Sequence, residues 1–365
     1  MDRMTVQVFD GAISIDFDDG VAEEVKSALR AQWSHLASGQ PGRQRLIATT
    51  TQPATTSSPF AFGTTAADLA ANVRSAVSAM ARASAVASDA RTSRPLPMSA
   101  ATVRESGASS ATMLFGTGRE EAIHALSSSV VYLGLDAARV DLEKATVEGL
   151  PVPVIDPASG RLAAPAVVGM SVGSGAHRIG TVALLIHAPD ESPHWVPVSV
   201  PEMSAAVLPW APALTSSPIP LGVLGGVLER VPLLAAVRYR SQDDLPALFA
   251  DLWASEAPPR GEISASDTRP EEEETAVPVI GDVRRAAMVD AIDDGSFLAV
   301  CDGQYQAAAV SGIALAIWQC AGTWIGLDEL TRRVVQVVGE PTADPRALVT
   351  AAVDALVARS ILVRV

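Results

Sequence analysis

Few residues of this 365-residue chain are spaced for chemistry, and the first candidates lie in Phe115-Gly116-Thr117-Gly118-Arg119-Glu120-Glu121-Ala122. A glycine turn between an apolar strand and a helix lets backbone N–H groups cradle phosphate. It also needs a Lys for the terminal phosphates and a Ser or Thr for Mg²⁺. Here the loop is short, Arg119 stands about where that Lys would, and Glu120 and Glu121 replace the hydroxyl. Two carboxylates there would repel phosphate, and the two lysines, Lys26 and Lys144, lie elsewhere. The turn reads as an ordinary strand-to-helix connection without a phosphate loop.

Ser171-Val172-Gly173-Ser174-Gly175 with His177 offers a nucleophile and a base. A His three or six residues from a Ser on one loop defines no triad, so this reads as a Gly/Ser loop. His187 and His194 are too isolated to argue a metal site, and Asp136 and Asp141 suit a solvated loop as well as a metal. Cys301 and Cys320 form no CxxC pair; they read as reduced thiols, although their spacing leaves a disulfide open. No catalytic residue, cofactor or metal is expected.

The composition narrows the partners. The chain has 27 Lys and Arg against 41 Asp and Glu, a net charge of −14. That balance opposes binding to nucleic acid or to an anionic membrane, and leaves a basic peptide or protein surface. Arginine supplies nearly all the positive charge, as in high-GC bacterial coding. The N-terminus lacks a basic segment followed by an apolar one, and residues 221–237, the most apolar stretch, are broken by Glu229, Arg230 and Pro232. A soluble cytoplasmic protein is expected, with a homo-oligomer left open.

The elements that must position these residues are read from periodicity. Residues 5–16 alternate around Asp10-Gly11 as a hairpin, and 21–36 and 66–87 carry helical spacing. Residues 46–48 suit a strand, and 93–110 read as loop with one strand at most. Buried strands are expected at 111–115, 130–135, 181–187 and 235–239, β-like structure at 145–155, and helices at 119–126, 204–208, 221–228 and 245–253. Residues 255–277 hold Pro258, Pro259, Gly261, Pro270 and the acidic run 271–274, and read as a solvated linker. Beyond it, strands at 288–293, 296–300 and 304–310 are joined by Asp294-Gly295 and Asp302-Gly303, tight-turn signals. Three helices follow: 312–321, 327–338 ending at Gly339, and one capped by Asp344 with Pro345 at its first position. A strand at 361–365 closes the chain. The expected class is α/β (α+β), divided as 1–110, 111–254, a linker at 255–281, and 282–365.

The β-β-β-α-α-α order resembles the PqqD-like family of peptide-recognition domains, the recognition elements of ribosomally made, modified peptides. The likeness rests on residues 297–303, 305–318 and Thr323-Trp324-Ile325-Gly326-Leu327-Asp328-Glu329-Leu330. It implies a small winged-helix-like β3α3 domain that holds a leader peptide as an added strand beside its third strand. Carried over, the edge would be Tyr305, Gln306, Ala307 and Ala308. The helical wall would include Arg346, Val349, Thr350 and Val353, with Arg346 meeting a leader carboxylate. The valines equally suit the domain core. A winged-helix DNA reader shares this element order, but residues 282–365 carry seven Arg, no Lys and ten acids.

The first 254 residues resemble HPr-kinase-related proteins. The matching features are 111–115 entering the glycine turn, Val131-Tyr132-Leu133-Gly134-Leu135-Asp136, Asp156-Pro157-Ala158-Ser159-Gly160-Arg161-Leu162, 182–186, and 237–240 with Asp243-Asp244-Leu245. Without its phosphate loop, that likeness implies a non-catalytic scaffold. The combined expectation is a protein that presents a precursor peptide to a separate modifying enzyme. A divergent ATP-dependent phosphotransferase acting on a peptide, and a structural subunit without a peptide partner, are the alternatives.

Overall fold

The structure, a computed structural model, describes residues 2–9, 11–40, 42, 44–51, 59–87, 96–266, 268 and 278–365. It is a mixed α/β chain, with nine α-helices and several sheets among the described residues. Two compact units emerge. One holds residues 1–197, 210–213 and 231–257; the other holds 198–209, 214–230 and 258–365.

The larger unit begins with a four-stranded sheet. Asp2–Val8 and Gly11–Phe17 pair as the expected hairpin, whose residue Asp10 lies outside the described set. Gln44–Thr49 and Phe60–Phe62 add in parallel. Asp16, buried in this sheet, is held by both Arg3 and Arg45. The Arg3 guanidinium foremost, with Arg45, holds the Asp16 carboxyl below the usual carboxylate range against the opposing effect of burial. A depressed folded-state pKa stabilises above the unfolded value of about 3.9 and ceases to do so as pH falls through the folded value. Asp16→Asn should therefore lower the urea midpoint at neutral pH. The gap from wild type should close below about pH 3; a gap that stays constant with pH would contradict the role given to these arginines.

A ten-stranded sheet forms the centre of the larger unit. Three neighbouring strands, Ser110–Gly116, His177–His187 and Leu233–Tyr239, run parallel. Met113, Leu114, Phe115, Val182, Ala183 and Leu185 are closed off from solvent, as a near-continuous apolar run in a doubly covered sheet requires. The expected strands at 111–115, 181–187 and 235–239 are thus found, each longer. The expected 145–155 stretch splits into Thr146–Gly149 and Val154–Asp156, because Pro151 and Pro153 fall between them. Leu96–Met98 and Ala101–Glu105 both join this sheet, so the expected division at residue 110 falls inside it. The helices Ala66–Ala87, Arg119–Leu126 and Leu245–Ala254 contribute Leu69, Val73, Val77, Ile123, Leu126, Phe249 and Leu252 to one core.

The smaller unit is built on Ser264–Ala265, Asp290–Asp293, Phe297–Cys301 and Ala307–Ser311, antiparallel and in that order. Gly312–Cys320, Leu327–Val338 and Pro345–Ala358 supply Ile317, Trp318, Leu330, Val334, Val349 and Val353 to its core, together with Leu298, Val300 and Val310 of the sheet. The Asp344 cap is present, accepting from Arg346 N–H at 3.1 Å. Val283–Arg285 pairs with Leu362–Arg364, a pairing between elements too short to show periodicity.

Two helices assigned by sequence to the larger domain belong here instead. Val200–Val207 packs on Phe297–Cys301 and Ala307–Ser311, and Pro220–Leu228 packs on Asp290–Asp293. Ser199 and Glu202 form a capping box that starts the first of them. The second is fixed by Asp290, a buried carboxylate that accepts from Gly222 N–H at 2.8 Å in the first turn, where the helix dipole favours an acid. A Cβ at Gly225 would lie 2.6 Å from the Ile263 Cδ1 and 3.1 Å from the Ile292 Cδ1, so a larger residue there would have to displace both methyl groups. The expected linker is therefore partly built in: Ile263 N–H donates to Glu229, and Ser264–Ala265 pairs in the sheet. Its residues 267 and 269–277, with the acidic run, lie outside the described residues.

Candidate functional site

The sheet of the smaller unit is covered on both faces, so what it can still offer is an edge. Ala307–Ser311 ends the strand order, and no strand pairs with its outer side among the described residues. Ladder phase says which groups are free. Asp302 N–H donates to the Gln306 carbonyl at 3.0 Å. Alternation along an antiparallel pair then turns the backbone of Ala308 and Val310 to the central strand, and that of Ala307, Ala309 and Ser311 outward.

The start of this strand is shaped by its turn. Asp302 Oδ1 accepts from Gln304 and Gln306 N–H at 2.8 and 2.9 Å. Tyr305 takes the left-handed conformation at φ 59, where Gly303 was the residue expected to bend. Tyr305 consequently lies in the turn, not on the strand. Beside the strand opens a cleft of about 150 Å³, lined by Met288, Val300, Asp302, Gln306, Ala307, Ala308, Arg359, Ser360 and Ile361. That volume suits one side chain. The small side chains of Ala307 and Ala308 leave this space open.

The helical wall differs from expectation. Val349 and Val353 are 1% and 0% exposed, packed in the core, and cannot touch a guest strand. Thr350 turns its hydroxyl to the Arg346 carbonyl at 2.7 Å. Arg346 pairs with Asp328 at 3.1 Å and does not line the cleft. The positive charge in the cleft is Arg359, one residue past the end of Pro345–Ala358, which sequence reading passed over. Cys301 and Cys320 are free thiols, and burial pushes Cys301 up to about 11.

In the larger unit the glycine turn carries no phosphate-ready cation. Arg119 donates to the Ser99 carbonyl at 2.8 Å, reaches Asp136 at 3.5 Å and lies 4.5 Å above the Trp210 ring. Glu120 is gripped by Arg74 at 2.8 and 3.1 Å and accepts from Ile155 N–H at 2.6 Å. Asp136 therefore belongs to an arginine network, and Asp141 caps its own turn by accepting from Glu143 and Lys144 N–H. No family model matches this chain, and no curated protein does. The remaining candidates are dispersed. His177 meets the Ser174 carbonyl, not a serine hydroxyl, His187 meets the Arg240 carbonyl, and His194 meets the Ser192 carbonyl. Among the described residues no three metal-ligating side chains cluster, and no helix is long and apolar enough to cross a membrane.

Proposed function

We propose that the smaller unit recognises an extended peptide by strand addition, and that the chain presents a precursor peptide to a separate modifying enzyme. The observation that carries this is the unpaired outer edge of Ala307–Ser311 beside a side-chain-sized cleft. Backbone hydrogen bonds to Ala307, Ala309 and Ser311 would supply affinity. A small apolar guest side chain would enter between Met288, Val300 and Ile361, and an acidic one would meet Arg359.

The resemblance to PqqD-like domains supports the same reading, since that family uses its third strand in this way. In this reading residues 282–365 are the winged-helix-like β3α3 element, with Val200–Val207 and Pro220–Leu228 added on the other face. The larger unit is then a non-catalytic scaffold related to HPr-kinase-like proteins. The engagement of Arg119 with Asp136 and of Glu120 with Arg74 supports that role, because neither is left to handle phosphate.

Fluorescence anisotropy of the full chain with the labelled precursor peptide encoded beside its gene tests the proposal. The full chain is required because helices from 198–230 cover the sheet that carries the edge. Saturable micromolar binding is expected; anisotropy that rises only linearly with protein concentration would end this reading.

A further inference from the structure

We propose that the larger unit carries a second site, a cleft for a small organic cation with an amine or guanidinium group. The cleft encloses about 560 Å³ and lies where Ser110–Gly116, His177–His187 and Leu233–Tyr239 end together. Ligands of open α/β sheets bind outside the carboxyl ends of such strands, and this volume fits a small molecule.

Tyr239 is the observation that points to a ligand. The residue is only 6% exposed, and its hydroxyl, which has no hydrogen-bond partner among the described residues, opens into the cleft. A phenol hydroxyl so placed can donate to or accept from a guest in the cleft. The hydroxyl reaches over Gly118: a Cβ there would lie 2.2 Å from it, and Gly118 itself has φ 79. The turn thus needs glycine to admit the phenol to the cleft.

Charge selects the class of ligand. Glu121 and Asp243 line the cleft, and no Lys or Arg side chain does. Neither carboxylate has an ion-pair partner among the described residues, whereas Arg119, next to the turn, is engaged by Asp136. A phosphate would meet two like charges; an amine or guanidinium would meet two opposite ones. His187 lies 5.4 Å from the Tyr239 ring, tilted at 45°, and its Nε2 is 3.0 Å from the Arg240 carbonyl. The exposed His187 ring can cover the apolar or planar body of the cation.

Calorimetric titration of the full chain with agmatine, and separately with AMP, tests the site. Agmatine is expected to bind saturably. Glu121→Gln/Asp243→Asn should weaken it about tenfold or more. Tyr239→Phe, which keeps the ring and hence the packing, should weaken it severalfold without moving Tm. Absence of saturable agmatine binding, tighter binding of AMP than of agmatine, or equal affinity in the variants would each overturn the proposal.

Discussion

Arg74→Met should lower the stability of the larger unit by about 3–5 kcal/mol, among the largest effects expected of one substitution here. Arg74 comes from Ala66–Ala87 and reaches Glu120 at the start of Arg119–Leu126, so it ties two helices of the same core together. Its side chain is 17% exposed and that of Glu120 16%. It also donates to the Pro153 carbonyl at 3.3 Å and lies 3.8 Å from Asp136. Met keeps much of the volume but removes every one of these bonds. Glu120 is then left with Ile155 N–H alone and no compensating cation in contact. An uncompensated charge in such a place costs more than the intact pair contributes. Thermal unfolding should show a fall of about 10 °C for a unit of this size. Arg74→Met/Glu120→Gln should recover most of it, because the stranded charge is gone. Two additive losses would mean that the pair is not coupled.

The sequence announced the glycine turn that leads into this network, but not the network. Arg74, Arg119, Glu120 and Asp136 converge from a long helix, a short helix and a loop, and nothing local marks Arg74 as their partner. What was legible is local. Apolar runs at 111–115 and 181–187 marked doubly covered strands, Asp294-Gly295 marked a hairpin, and Asp344-Pro345 marked a helix start. Gly295 at φ 84 and the Asp344 cap are as those signals require.

Long-range decisions were not legible. Val200–Val207 carries a readable capping box in Ser199 and Glu202, yet nothing in its residues says which sheet it covers. The third helix of the smaller unit shows a different limit. Its two apolar stripes, Leu348-Ala352-Leu356 and Val349-Val353-Val357, are nearly equivalent as patterns. Packing sent Val349, Val353 and Leu356 inward and left Leu348 40% exposed. Helical spacing alone could not divide core from groove wall. The cleft under Tyr239 was hidden for a related reason: it exists only where strand ends from residues 116, 187 and 239 come side by side.

Ala309→Pro should abolish peptide binding while leaving the smaller unit folded. The Ala309 N–H turns outward from the sheet, so proline there removes no bond to Phe297–Cys301. Proline is tolerated on edge strands for this reason, and an extended residue before it suits the strand. A guest strand, by contrast, loses a central donor and meets the pyrrolidine ring at its closest approach. Losing a paired donor and the register of an added strand should weaken binding at least about a hundredfold. Ala308→Pro provides the contrast. Its N–H faces Val300, so that change breaks the internal ladder and should unfold or strongly destabilise the unit. Circular dichroism melts and anisotropy titrations of the two variants separate the effects. If Ala309→Pro keeps both its melting temperature and full peptide affinity, the peptide does not add to this edge. Loss of binding with an unchanged melt is the result that strand addition at Ala307–Ser311 requires.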